Sequence, residues 1–135
     1  LLSGYGLRGG ALGVSIAHDS HNLVIVGDDN RAMARVAKLL EKAGGGMAIA
    51  EGTFEKAFPL DIAGLMSSLP HEEVIKETEE ITARARRMGV KEGIEPFMSL
   101  VFLSLAVIPK LRLTDRGLVD VEKFEIVPLR IGEEA

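Results

Sequence analysis

The chain has 135 residues, 47% of them hydrophobic and 27% charged, and a formal net charge of -4; this suffices for one compact domain with a sizeable core and excludes a disordered chain. It has no cysteine, which excludes disulfides and thiolate metal sites, and its longest apolar stretch, Phe97–Ile108, falls short of the roughly 20 residues a membrane span needs. Arg84, Arg86, Arg87 and Lys91 lie close together, but the Glu-rich stretch Glu72–Glu80 precedes them and no aromatics are interleaved, so no nucleic-acid surface is expected.

In chain order, the opening Leu1-Leu2-Ser3-Gly4 has neither Met nor the pattern of a signal peptide, and a cytoplasmic fragment cut near a domain boundary is expected. Gly4-Tyr5-Gly6-Leu7-Arg8-Gly9 matches G-x-G-x-x-G, but a dinucleotide loop needs a strand before it and a helix after it. Neither is present, so these glycines are read as permitting close backbone approach. Leu12, Val14 and Ile16 alternate with small residues and predict a strand with one buried face; Leu23–Val26 predicts an interior strand. Gly27-Asp28-Asp29-Asn30 supplies turn and cap chemistry for a helix over Ala32–Ala43, which Gly44-Gly45-Gly46 stops. Met47–Ala50 and Thr53–Phe58, joined through Glu51-Gly52, predict a hairpin.

Leu60–Ser68 reads as a short, buried connection. From Pro70 to Met88 the spacing predicts a helix with Val74, Thr78, Ile81, Ala85 and Met88 inward, acids in its first half and arginines in its last turns, as the helix dipole favours. Gly89 ends it. Phe97–Ile108 reads as a buried core element, Thr114-Asp115-Arg116-Gly117 as a turn into Leu118–Val121, and Lys123–Val127 as a last strand. Asp115 and Asp120 are expected to bond backbone amides, and Met33, Met47, Met66, Met88 and Met98 to fill core positions. The expected architecture is α+β, one domain over residues 1–135, with a mixed or mainly antiparallel sheet and two or three helices packed mostly on one face.

Between the first two strands stands His18-Asp19-Ser20-His21-Asn22, five adjacent polar residues flanked by apolar runs. A bare turn would need only Asn-Gly or Asp-Gly. Three readings are open: His18, Asp19 and His21 satisfy loop backbone groups, handle a proton or substrate, or ligate a metal with a further ligand from elsewhere. The third histidine, His71, opens the acidic helix, where exposure is expected.

Gly10-Ala11 with Ser15–Gly27, Gly44-Gly45-Gly46, Ile62-Ala63-Gly64-Leu65-Met66-Ser67, and Pro96-Phe97-Met98-Ser99-Leu100 continuing through Val107-Ile108-Pro109 to Leu113–Val121 resemble, in order, the C-terminal domain of bacterial and archaeal adenine deaminases of the amidohydrolase type. The resemblance covers nearly the whole chain. Asp61 stands where that family commonly has proline, and Val101 and Ala106 also depart from it; none of these touches the 18–22 loop.

The resemblance implies a parent enzyme of purine salvage that hydrolyses adenine to hypoxanthine and ammonia with a divalent metal, manganese or iron or zinc. That metal is held by an N-terminal amidohydrolase barrel absent from this chain, and no metal is expected on the chain itself, which alone is expected to be inactive. Implied partners are the barrel, adenine and further copies in a homo-oligomer, with no nucleic acid or membrane. His18, Asp19 and His21 are then the catalytic candidates, and Ser20 and Asn22 the substrate-contacting ones, in a loop at the barrel mouth. The competing expectation is a structural and assembly domain without catalytic contact. A free-standing purine sensor ranks last, because one Tyr, five Phe and no Trp offer little base stacking.

Overall fold

A computed structural model describes residues 2–17 and 21–130. Strand β1 (Gly10–Val14) leads to β2 (Val24–Gly27), helix α1 (Asn30–Ala43), the hairpin β3 (Gly46–Glu51) and β4 (Phe54–Pro59), then α2 (His71–Arg87) and the short α3 (Met98–Val101). Three further strands follow: β5 (Leu111–Thr114), β6 (Gly117–Asp120) and β7 (Glu125–Val127). The first four strands form one antiparallel sheet in the order β2-β1-β3-β4, and the last three form a second, β5-β6-β7. The α+β expectation holds, with two antiparallel sheets in place of one.

Side-chain size sorts the two faces of the four-stranded sheet. Successive strand residues point to opposite faces, so Ala11, Ala48, Ala50 and Ala57 line one side, where α1 packs through Ala32, Val36 and Leu40. Small residues there let the helix axis come close. The other side carries Leu12, Val14, Ile49 and Phe58, covered by Ile81, Ala85 and Met88 of α2 and its end and by Phe97 and Leu100 around α3. Two of the three helices thus share one face, α2 over β3 and β4 and α3 over β1 and β2.

Local chemistry fixes the helix ends. Asp29 caps α1, its carboxylate accepting from the N–H groups of Arg31 at 3.2 Å and Ala32 at 3.0 Å. Gly44, at φ 74°, closes it in the left-handed conformation. Helix α2 carries Glu72 and Glu73 in its first turn and Arg84, Arg86 and Arg87 in its last. It is tied to the hairpin by Lys56, 2.9 Å from Glu77 and 2.5 Å from Glu80, and by Arg84, which pairs with Glu51 and lies 4.2 Å over the Phe54 ring. Such half-exposed pairs fix register more than they stabilise, at about 0–1 kcal/mol each.

The N-terminal glycines do what close approach requires. Arg8 donates to Met88 O at 2.8 Å and Lys91 to Tyr5 O at 3.0 Å, so residues 5–8 run beside 88–91. A Cβ on Gly6 would stand 2.5 Å from Gly89 O, a space only glycine fits. Tyr5 is buried and donates its hydroxyl to Pro96 O, and burial, reinforced by the nearby Glu95 charge, pushes its phenol pKa well up.

Five sequence expectations are corrected. Strand β1, expected to have one buried face, is buried on both, and β2, expected in the interior, stands at the sheet edge and is half-buried. Leu60–Ser68 is not a buried connection: Leu60 and Gly64 are enclosed, but Asp61, Ile62, Ala63, Met66 and Ser68 are exposed, because the segment closes on itself by its own hydrogen bonds. Of Phe97–Ile108 only the first part is core; helix α3 ends at Val101, and turns then carry Phe102 and Val107 to the surface. Met66 and Met98 are exposed, while Met88 is buried. One strand, β5, escaped the sequence reading. It pairs with β6 through the turn in which the Thr114 hydroxyl donates to Gly117 O and accepts from Arg116 N–H. Asp120 does accept backbone amides, those of Glu122 and Lys123 at 3.1 Å each.

Candidate functional site

Antiparallel pairing gathers loops. The exit of β1, the entrances of β2 and β3 and the exit of β4 all lie at one end of the four-stranded sheet. The residues after β1 as far as Ala17, those before β2 from His21, the Gly44-Gly45-Gly46 turn and the Ile62–Ser67 segment therefore share that end. Ser15 fastens the last two to the end of β1. Its N–H donates to Gly46 O at 3.0 Å, and its hydroxyl accepts from Gly46 N–H at 2.7 Å and donates to Gly64 O at 2.6 Å. Gly45 meets Gly64 so tightly that a Cβ on Gly45 would stand 2.6 Å from the Gly64 Cα. The 62–67 segment is thus seated on the glycine turn rather than trailing from it.

Two of the five singled-out loop residues are placed at this end. His21 is exposed and takes φ 48°, left-handed backbone that few non-glycine residues adopt but that histidine and asparagine tolerate better than most. Its N–H donates to Ala17 O, which ties the loop back to the residues just after β1. Asn22 is half-buried beside it and leads into β2. His18, Asp19 and Ser20 lie outside the described residues. An imidazole and a carboxamide adjacent in sequence supply both hydrogen-bond donors and acceptors.

Among the described residues no group of three or more His, Asp or Glu side chains gathers to hold a metal ion. The third histidine, His71, stands at the start of α2, exposed, with Nδ1 3.3 Å from Glu72. Among the described residues no helix is long and apolar enough to cross a membrane.

The opposite end of the sheet holds an open groove of about 510 Å³, lined by Gly9, Asp28, Asp29, Arg31, Arg35 and Gly52. Much of its polar chemistry is turned inward. Asp28 accepts from Gly9 N–H at 2.8 Å and Gly10 N–H at 2.9 Å, and these bonds, the Gly9 one foremost, hold its carboxyl below the usual range. Arg35 donates to Gly52 O at 2.6 Å and lies 3.4 Å from Glu55. The groove's aspartates therefore serve structure, as the cap reading expected. What sequence reasoning missed is Ser15, whose hydroxyl joins segments 31 and 49 residues away.

The fold and this end define a class: an α+β domain that carries His21, Asn22 and a fastened apolar segment at one sheet end, without a metal-ligand set among its described residues. Residues 1–125 match the protein family described as the adenine deaminase C-terminal domain, and the chain belongs to that family. It is 47% identical over 129 residues to the adenine deaminase of Methanothrix thermoacetophila, covering 96% of this chain and 23% of that protein. It is 46% identical to adenine deaminase 2 of Carboxydothermus hydrogenoformans, covering 97% and 23%, and 48% identical to the adenine deaminase of Oleidesulfovibrio alaskensis, covering 94% and 22%. The chain spans less than a quarter of the length of these curated relatives.

Proposed function

We propose that the chain is the accessory domain of an adenine deaminase, an enzyme converting adenine and water to hypoxanthine and ammonia, and that its 18–22 loop lies at the mouth of an active site built by an N-terminal barrel. The observation that carries this reading is the convergence at one sheet end of His21 and Asn22 with the Ser15–Gly46–Gly64 junction. That junction draws on three of the four sequence blocks resembling the family. Rigid support of a polar loop is what a substrate-orienting contact needs, because a group displaced by an ångström loses much of its effect.

In this reading His21 and Asn22, with His18, Asp19 and Ser20, hydrogen-bond the purine edge or close the pocket over it. The divalent metal belongs to the barrel and supplies the activated water there. Cytoplasmic purine salvage and a homo-oligomeric parent complete the proposal.

The test is His21→Asn in the full-length enzyme. Asparagine tolerates the left-handed backbone, so folding stability is expected to change by less than about 1 kcal/mol, while turnover falls by about tenfold or more. A second reading, a structural and assembly domain without catalytic contact, is favoured by the exposure of Phe102 and Val107 after α3. Full turnover with a lowered melting temperature would decide for it.

A further inference from the structure

The segment leaving β4 is more heavily fastened than a connection requires. Asp61 accepts from both the N–H and the hydroxyl of Ser68, at 2.9 and 2.5 Å, and so closes the segment into a ring. Inside it Ile62 and Met66 pair, the Met66 and Leu65 N–H groups donate to Ile62 O, and Ala63 is held at φ 56°. Left-handed backbone at alanine is costly and persists only where surroundings impose it. Ser15 then bolts the ring to the sheet through Gly64 O.

The product of this construction is the outward display of apolar side chains, with Ile62 44%, Met66 60% and Leu69 42% exposed. Leu23, 48% exposed, stands at the same sheet end, one position beyond the last β1–β2 pair, Val14 with Val24. Apolar side chains held out on a segment closed by Asp61 and Ser68 mark a surface that another surface covers. Two observations identify the occupant. The segment leaves β4 at the same sheet end as His21 and Asn22, and the family is a C-terminal domain whose relatives extend over more than three quarters of their length beyond the matched region.

We propose that Leu23, Ile62, Met66 and Leu69 form the seat on which the N-terminal portion of the parent polypeptide rests, and that this contact brings His21 and Asn22 to that portion. The inference rests on the accessory-domain reading above. It adds which surface makes the contact.

The test is a peroxide footprint of the methionines in the full-length enzyme, read by mass spectrometry, with no turnover measured. Met66 is expected to oxidise at least about tenfold more slowly than free methionine, because the thioether is covered. Oxidation at the free rate overturns the proposal, and leaves the His21→Asn result standing on its own. Protection that vanishes on dilution to the monomer assigns the patch to a second copy and also overturns it. A double variant, Ile62→Glu with Met66→Glu, is expected to keep its circular dichroism while proteases separate the two portions; unchanged protease resistance counts against the seat. Should that variant fail to fold, the footprint of the unaltered enzyme decides.

Discussion

Ser15 shows how much one hydroxyl can organise. It sits where β1 ends and serves as acceptor for Gly46 N–H and donor to Gly64 O, in a half-buried position. Removing it leaves a backbone donor and a backbone acceptor without their partner, and an unsatisfied group costs more than a hydrogen bond gains. Ser15→Ala is therefore expected to destabilise the protein by about 1–3 kcal/mol. In denaturant titration this reads as a lower midpoint at unchanged slope, since the surface exposed on unfolding stays the same. An unchanged midpoint would mean that water takes the place of the hydroxyl. The two partners lie 31 and 49 residues away, so no local pattern in the sequence announces them.

At the scale of the element, the Asp61–Ser68 ring is a feature whose stability depends on pH. Hydrogen bonds from Ser68, the hydroxyl first and the amide second, hold the Asp61 carboxyl below the usual carboxylate range. With a depressed value in the folded state, the contribution is fully present above the ordinary aspartate pKa of about 3.9 and is lost as pH falls through the depressed value. Amide exchange at Ser68, corrected for intrinsic rates, is thus expected to accelerate below about pH 4, and Asp61→Asn should flatten that dependence. Persistence of the pH dependence in that variant would assign it to another carboxylate.

The same ring marks where sequence reading reached its limit. Helices α1 and α2 were legible because their apolar stripes, the Asp29 cap and the charge order of α2 are all local. Leu60–Ser68 and Phe97–Ile108 were read as buried because apolar composition reports hydrophobicity and not which way a segment faces. Strand β5 has four residues and exposes Leu111 and Leu113, too short and too weakly patterned to stand out. His21 and Asn22 stand out for their chemistry, but their placement at the same sheet end as Gly45 and Gly64 depends on the order β2-β1-β3-β4, which no single segment encodes.

For the whole molecule the question is where the chemistry is divided. The chain supplies a folded scaffold with His21, Asn22 and the exposed Ile62 and Met66 at one sheet end, and among its described residues no metal-ligand set. Hydrolytic deamination needs a strong nucleophile at neutral pH, and an exposed imidazole on a surface loop does not turn water into one. Ammonia release from adenine by this chain alone, with manganese, iron(II) or zinc supplied in turn, is therefore expected to stay at the metal-only blank. Under the accessory-domain proposal the same assay on a full-length parent is expected to proceed, which would assign the reactive centre to the portion outside the matched domain. Turnover by the chain alone would reverse that division and make His18, Asp19 and His21 the leading ligands, with their replacement by Ala the next step.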